Sequence, residues 1–286
     1  MSRPALVLLA LSTLLTGVPA QADEPLFDAH LHYSAPHAEA LSPAEVIDRF
    51  DAAHVEQAIV TSTPPDTVLK LHDQAPDRIH PFLGLYRTTA DKRDWMHDPT
   101  LPERLETALS DGRWAGIGEI HIFAIDGNSP VFARVVELAR EHNLVLMIHG
   151  DPPIIDKTFT LWPNARVLWA HLGTLPEPQI LREYLSRYPE RLWIDTSVRD
   201  ERIAPDGNLA EPWRALFLDF PDRFVVAVDT FSVNRWNEYG KVVAQIRTWL
   251  QTLPPAVRQR LQYRNAVELM TADTVDTEVD TDSPQD

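Results

Sequence analysis

The chain has 286 residues, 44% hydrophobic and 24% charged, which suits one packed domain of the roughly 250 residues that an α/β barrel needs. Its formal net charge of -16, with no Lys/Arg cluster, argues against nucleic acid held through its phosphates and against docking on anionic lipid. The absence of cysteine excludes disulfides, thiolate catalysis and Cys-ligated zinc together.

In chain order, residues 1–22 read as a signal peptide. Arg3 supplies a positive start, Ala5 to Leu15 an apolar run, Gly17 and Pro19 a helix break, and Ala20-Gln21-Ala22 a cleavage site before Asp23. The apolar run is too short for a stable membrane anchor. The expected location is periplasmic or secreted. From 23 to 272, short apolar runs alternate with amphipathic stretches of helical period. The runs are Leu26–His32, Ala58–Ser62, Ile79–Tyr86, Ala115–Ile122, Leu144–His149, Val167–His171, Leu192–Ser197 and Phe224–Asp229. Between them, Ser42-Pro43 and Asn128-Ser129-Pro130 carry helix-start signals, and Pro176–Tyr188, Glu211–Phe220 and Asn237–Leu250 have helical patterning. Strand and helix in alternation imply a parallel sheet, and eight strands suggest closure into a (β/α)₈ TIM-type barrel. An open doubly wound sheet is the runner-up, but no glycine-rich phosphate loop follows the first run. Residues 273–286, acidic and without a basic partner, read as a disordered tail.

Five of these runs carry His, Asp or Glu at or near their C-terminal ends, which in a barrel converge on the catalytic face. In FDAHLHYS, a period of two points His30 and His32 the same way, with Asp28 one step deeper and placed to hold a ring N–H. In WAGIGEIHIF, Glu119 and His121 share a face, with Gly116, Gly118 and Ile120 opposite. His149 closes LVLMIH, His171 closes ARVLWAH, and Asp229 closes RFVVAVD. Singly, each has an ordinary explanation: loop histidines, a buried salt bridge for Glu119, a helix cap for Asp229. Together they form an N/O ligand set for one divalent ion, zinc first and manganese or iron as alternatives. One ion is expected, and two is the alternative.

The H-x-H strand, NARVLWAHLG, YPERLWIDTS and YRNAVELM resemble the amidohydrolase superfamily, and more closely its amidohydrolase-related (amidohydrolase 2) branch, over Leu26 to Met270. The resemblance implies a distorted (β/α)₈ barrel. It implies His30, His32 and His149 as ligands, Asp229 as ligand and proton shuttle, and His171 as a ligand for a second ion or as the group that polarises the substrate. GIGEI also resembles the strand-four segment of TatD-like metal-dependent nucleases, where a Glu ligates metal; here that is Glu119. The strand-eight AVDTF departs from the Gly-Thr-Asp or Gly-Ser-Asp of the branch. No lysine lies on strand four, so the carboxylated-lysine subtype is excluded.

The expected activity is hydrolysis of a small-molecule ester, lactone, amide or similar bond. Arg87, Arg199 and His121 are candidates for substrate contacts, the two arginines for an anionic substrate group, and Trp162 and Trp236 for pocket walls. Two alternatives stand: decarboxylation of a small acid, recognised by released CO₂, and a non-catalytic metal protein. The sequence does not set the oligomeric state.

Overall fold

The computed structural model describes residues 24–272; the expected leader (1–22) and acidic tail (273–286) lie outside the described residues. Eight parallel strands pair in sequence order: β1 (Leu26–His32), β2 (Val55–Thr61), β3 (Ile79–Leu83), β4 (Gly116–His121), β5 (Val145–His149), β6 (Val167–Trp169), β7 (Leu192–Asp195) and β8 (Phe224–Val225). The ring closes where Ala29 N donates to Val226 O at 3.0 Å and Asp229 N to His30 O at 2.8 Å. This is the (β/α)₈ barrel that the alternation of elements implied. Among the described residues no helix is long and apolar enough to cross a membrane.

Several apolar runs outlast their strands. β3 stops at Leu83, β6 gives way to a 3₁₀ turn over Ala170–Leu172, β7 stops at Asp195, and β8 has only two residues in the ladder. The runs continue because the chain beyond the ladder is still buried, as Leu85, Val226 and Val228 show. Burial, not strand pairing, sets the length of an apolar run. The helices begin as expected. Ser42 caps Pro43–Ala52, its hydroxyl accepting from Glu45 N while the Glu45 carboxylate accepts from Ser42 N. Ser129 accepts from Val131 N and Phe132 N to open Pro130–Glu141. The helix expected over Asn237–Leu250 is Tyr239–Leu250, with a short helix, Val233–Asn237, ahead of it.

Phe27, Ile59, Phe82, Met147, Leu168 and Trp193 fill the barrel interior, and Ala266 and Leu269 of the helix Asn265–Thr271 pack against them. Arg166 fastens that helix by donating from Nη1 to the carbonyls of Leu269 (3.1 Å) and Met270 (3.0 Å).

Asp28 does not hold an imidazole. The β1–β2 register shifts between Asp28 and Leu31, a bulge that breaks the period of two. Ala29 below it and His30 above it both face inward, while the Asp28 carboxylate is turned into the β1–β8 seam. There it accepts from Val228 N (3.0 Å), His30 N (3.3 Å) and Tyr239 Oη (3.0 Å). Burial pushes its pKa up to about 7 against these donors. The carboxylate thus stands in for a missing rung of the ladder. Asp28→Ala is expected to lower stability by about 2–3 kcal/mol by orphaning buried donors, and Asp28→Asn by less because an amide oxygen still accepts. Denaturant unfolding measures both, and equal losses would contradict this role.

The β4 glycines also depart from expectation. A Cβ on Gly116 would meet the Phe82 ring at 2.5 Å, and one on Gly118 would meet Met147 Cβ at 2.6 Å, so both face the interior. The β4–β5 register shifts between Ile117 and Ile120, which brings Glu119 to the inner face as well.

Candidate metal centre

Glu119 is the hub. Its carboxylate is buried at the mouth, and each oxygen meets a different set of imidazoles. Oε1 lies 2.7 Å from His149 Nδ1 and 3.0 Å from His171 Nε2. Oε2 lies 3.4 Å from His121 Nε2, 3.5 Å from His32 Nε2 and 4.0 Å from His30 Nε2. Burial opposes the charged carboxylate, but the ring of imidazoles, His121 foremost, holds its pKa well below the ordinary range.

On the β1 side the Nε2 atoms of His30 and His32 face each other at 3.3 Å, and Asp229 Oδ1 lies 3.4 Å from His32 Nε2. His30 Nδ1 lies 3.0 Å from Asp195 Oδ2, so a proton is held there and Nε2 is the ring nitrogen aimed at the mouth. Burial opposes charge on His30, yet the carboxylates of Asp195, Asp229 and Glu119 hold its pKa up to about 10. The field at this spot favours a cation.

Asp195 closes the apolar strand LWID, the same signal that marked the other site residues, and it takes the role expected of Asp28. Besides His30 it receives His171 N (3.0 Å) and Ser197 N (2.9 Å) on Oδ1. Ser197 Oγ in turn meets His171 Nδ1 at 2.7 Å, which leaves Nε2 aimed at Glu119. His171 and Asp229 both have left-handed backbones (φ 62° and 56°), an uncommon conformation for residues other than glycine, found preferentially at functional sites.

The donors fit a metal. Among the described residues, His30/His32/Asp229, Glu119/His121/His149 and His30/His171/Asp195 each place their ligand atoms within 4.8 Å of one another. Asp229 Oδ1 is buried with no hydrogen-bond partner, a costly state that a divalent cation relieves.

The remaining candidates spread out. His121 is at the mouth, with Tyr86 Oη 3.3 Å from Nδ1 and Lys92 Nζ 3.4 Å from Nε2. Neither Tyr86 nor Lys92 was among the expected site residues: Tyr86 ends the third apolar run without a charge to mark it, and Lys92 lies on the connection after β3, where no periodicity marks it. Arg199 is half-buried beside the site, its Nε donating to His171 O at 3.0 Å. Arg87 lies outside the cluster, 61% exposed and paired with Asp91. Trp236 is buried behind β1, donating to His32 O at 2.9 Å, and Trp162 is buried at the end of the helix Pro152–Leu161. Neither lines the mouth.

Residues 27–152 match the family model of TatD related DNase. No curated protein matches the chain. A TatD homologue from Escherichia coli shares 17% identity and a TM-score of 0.61, the alignment covering 86% of this chain and 97% of that one. A probable 2-pyrone-4,6-dicarboxylic acid hydrolase from Acinetobacter baumannii, with citric acid bound, shares 15% and 0.57, covering 86% and 98%. An amidohydrolase from Burkholderia multivorans, with HEPES bound, shares 13% and 0.53, covering 86% and 99%. The likenesses to solved structures show the barrel fold. With the family match they support the resemblance at the level of the superfamily, not the amidohydrolase-related branch. The DNase match also runs against the expectation, drawn from net charge, that nucleic acid is excluded as a substrate.

Proposed function

We propose that the protein is a hydrolase that uses divalent metal to cleave an ester, lactone, amide or similar bond in a small molecule. The observation that carries this reading is Glu119, one buried carboxylate whose two oxygens serve two sets of imidazoles. That arrangement offers donors enough for two ions, against the single ion expected from the sequence. His30, His32 and Asp229 would hold one ion, and His149 and His171 the other. Ions so held supply Lewis-acid activation of water and of the scissile group.

The protein's own residues do the rest. Asp229, with Oδ1 unengaged by any hydrogen bond, accepts the proton of the attacking water and delivers it to the leaving group. Asp195 and Ser197 fix the tautomers of His30 and His171, so that both present Nε2 to the mouth. The buried walls keep the carboxylates and imidazoles largely out of water, which strengthens their interactions.

A phosphoester substrate is the second reading, favoured by the TatD related DNase match. A screen of esters, lactones, amides and phosphoesters with purified protein tests both. Turnover should vanish with chelator and return with zinc or manganese, and the substrates cleaved select the bond. Release of CO₂ from a carboxylic acid would make the protein a lyase. Tight metal binding without turnover on any substrate would make it a non-catalytic metal protein.

A further inference from the structure

The sequence points to Arg87 and Arg199 for an anionic substrate group, but the structure brings a different cation to the cluster. Lys92 stands on the 3₁₀ turn Thr89–Arg93 after β3. Its Nζ is 3.4 Å from His121 Nε2, 4.0 Å from Glu119 Oε2 and 5.6 Å from the centre of the Tyr86 ring. An ammonium carries three donor hydrogens. Among the described residues, its one hydrogen-bonding neighbour is the His121 nitrogen, and Glu119 stays beyond hydrogen-bond reach. The side chain is 33% exposed, and its ammonium lies over the face of the Tyr86 ring. Arg87 Nε is spent on Asp91 in solvent, and Arg199 Nε on the carbonyl of His171.

Charge gives the same direction. Glu119, Asp229 and Asp195 do not neutralise two divalent ions together with Lys92. A metal-loaded mouth is therefore positive, although the chain as a whole is acidic. Such a mouth selects anions from solution.

We propose that Lys92 determines specificity. Its ammonium binds a non-reacting anionic oxygen, so the substrate is a small ester or amide that carries a carboxylate or phosphoryl group beside the scissile bond. This rests on the metal-dependent hydrolase reading. Turn and strand place the ammonium at the β3–β4 side of the mouth, across the cluster from Asp229, so the substrate lies with its anionic end toward Lys92 and its leaving group toward Asp229.

The test uses metal-loaded full-length protein and matched ester pairs, one member neutral and the other bearing a carboxylate or a phosphate beside the scissile bond. Lys92→Met should raise KM for the charged member about tenfold or more, with a smaller change in kcat, so the preference for charged over neutral collapses. Lys92→Arg should restore most of that preference. Inhibition by inorganic phosphate and by acetate separates the two anions, since the one recognised loses potency in Lys92→Met. Lys92→Gln serves if the methionine variant does not fold. Equal losses on both members of a pair, with reduced metal content, would overturn the proposal and leave Lys92 as a structural neighbour of Glu119. If wild-type protein cleaves neither member, nor any ester, lactone, amide or phosphoester of the wider screen, with any metal, the hydrolase reading falls instead. Calorimetric titration of phosphate and acetate into metal-loaded wild type and Lys92→Met then decides the role of Lys92 alone: weaker binding of either anion to the variant supports it, and equal binding overturns it.

Discussion

Glu119→Ala is expected to lose about 100-fold or more of the hydrolytic rate and half of the bound metal. Removal of even an outer partner of a metal ligand costs 10–100-fold, and Glu119 faces both imidazole sets directly. Wild-type protein should carry two equivalents of divalent metal and the variant one. Wild type that is fully active with one equivalent would restore the single-ion reading, with Glu119 as a hydrogen-bonding support for His149 and His171. Retention of two equivalents in Glu119→Ala would remove Glu119 from the ligand set. The fold should survive, because Glu119 lies at the mouth, above the packed interior of the barrel.

Asp229→Asn should leave the shape of the site in place, since the amide oxygen occupies the position of the carboxylate and the backbone bond from residue 229 to His30 O remains. What it removes is the ability to take a proton. General acid–base groups contribute about 10²–10⁴-fold, so kcat and kcat/KM should fall together by that order. Metal content near the wild-type value keeps the loss on the proton step. A variant within threefold of wild type in kcat would assign the proton to another group, and His171 would be the next to change.

The barrel and most of the cluster are legible in the sequence for one reason. A polar residue that ends an apolar run stands where a buried strand meets the mouth, and His32, His149 and Asp229 each do so. Asp195 carries the same mark at the end of LWID and could have been read from it. Asp28 could not, because a period of two assumes an unbroken ladder, and the bulge between Asp28 and Leu31 exchanges the faces. The same assumption misplaced Gly116 and Gly118, whose neighbours are interior side chains. Lys92 is silent in the sequence: it reaches the site from a connecting turn, and only the course of that turn brings it to His121. Left-handed backbone at His171 and Asp229 is equally silent, since neither is glycine.

The helix at the C-terminal end of the described chain settles the traffic of small molecules. Ala266 and Leu269 seal the floor of the barrel, and Arg166 rivets the helix in place through two carbonyls. Among the described residues, the space below the site is packed with apolar side chains. Whatever is cleaved beside Glu119 has to retreat past Lys92 and Asp229 through the opening by which it came. A lingering product blocks the next arrival, and it competes for the same cations that drew the substrate in.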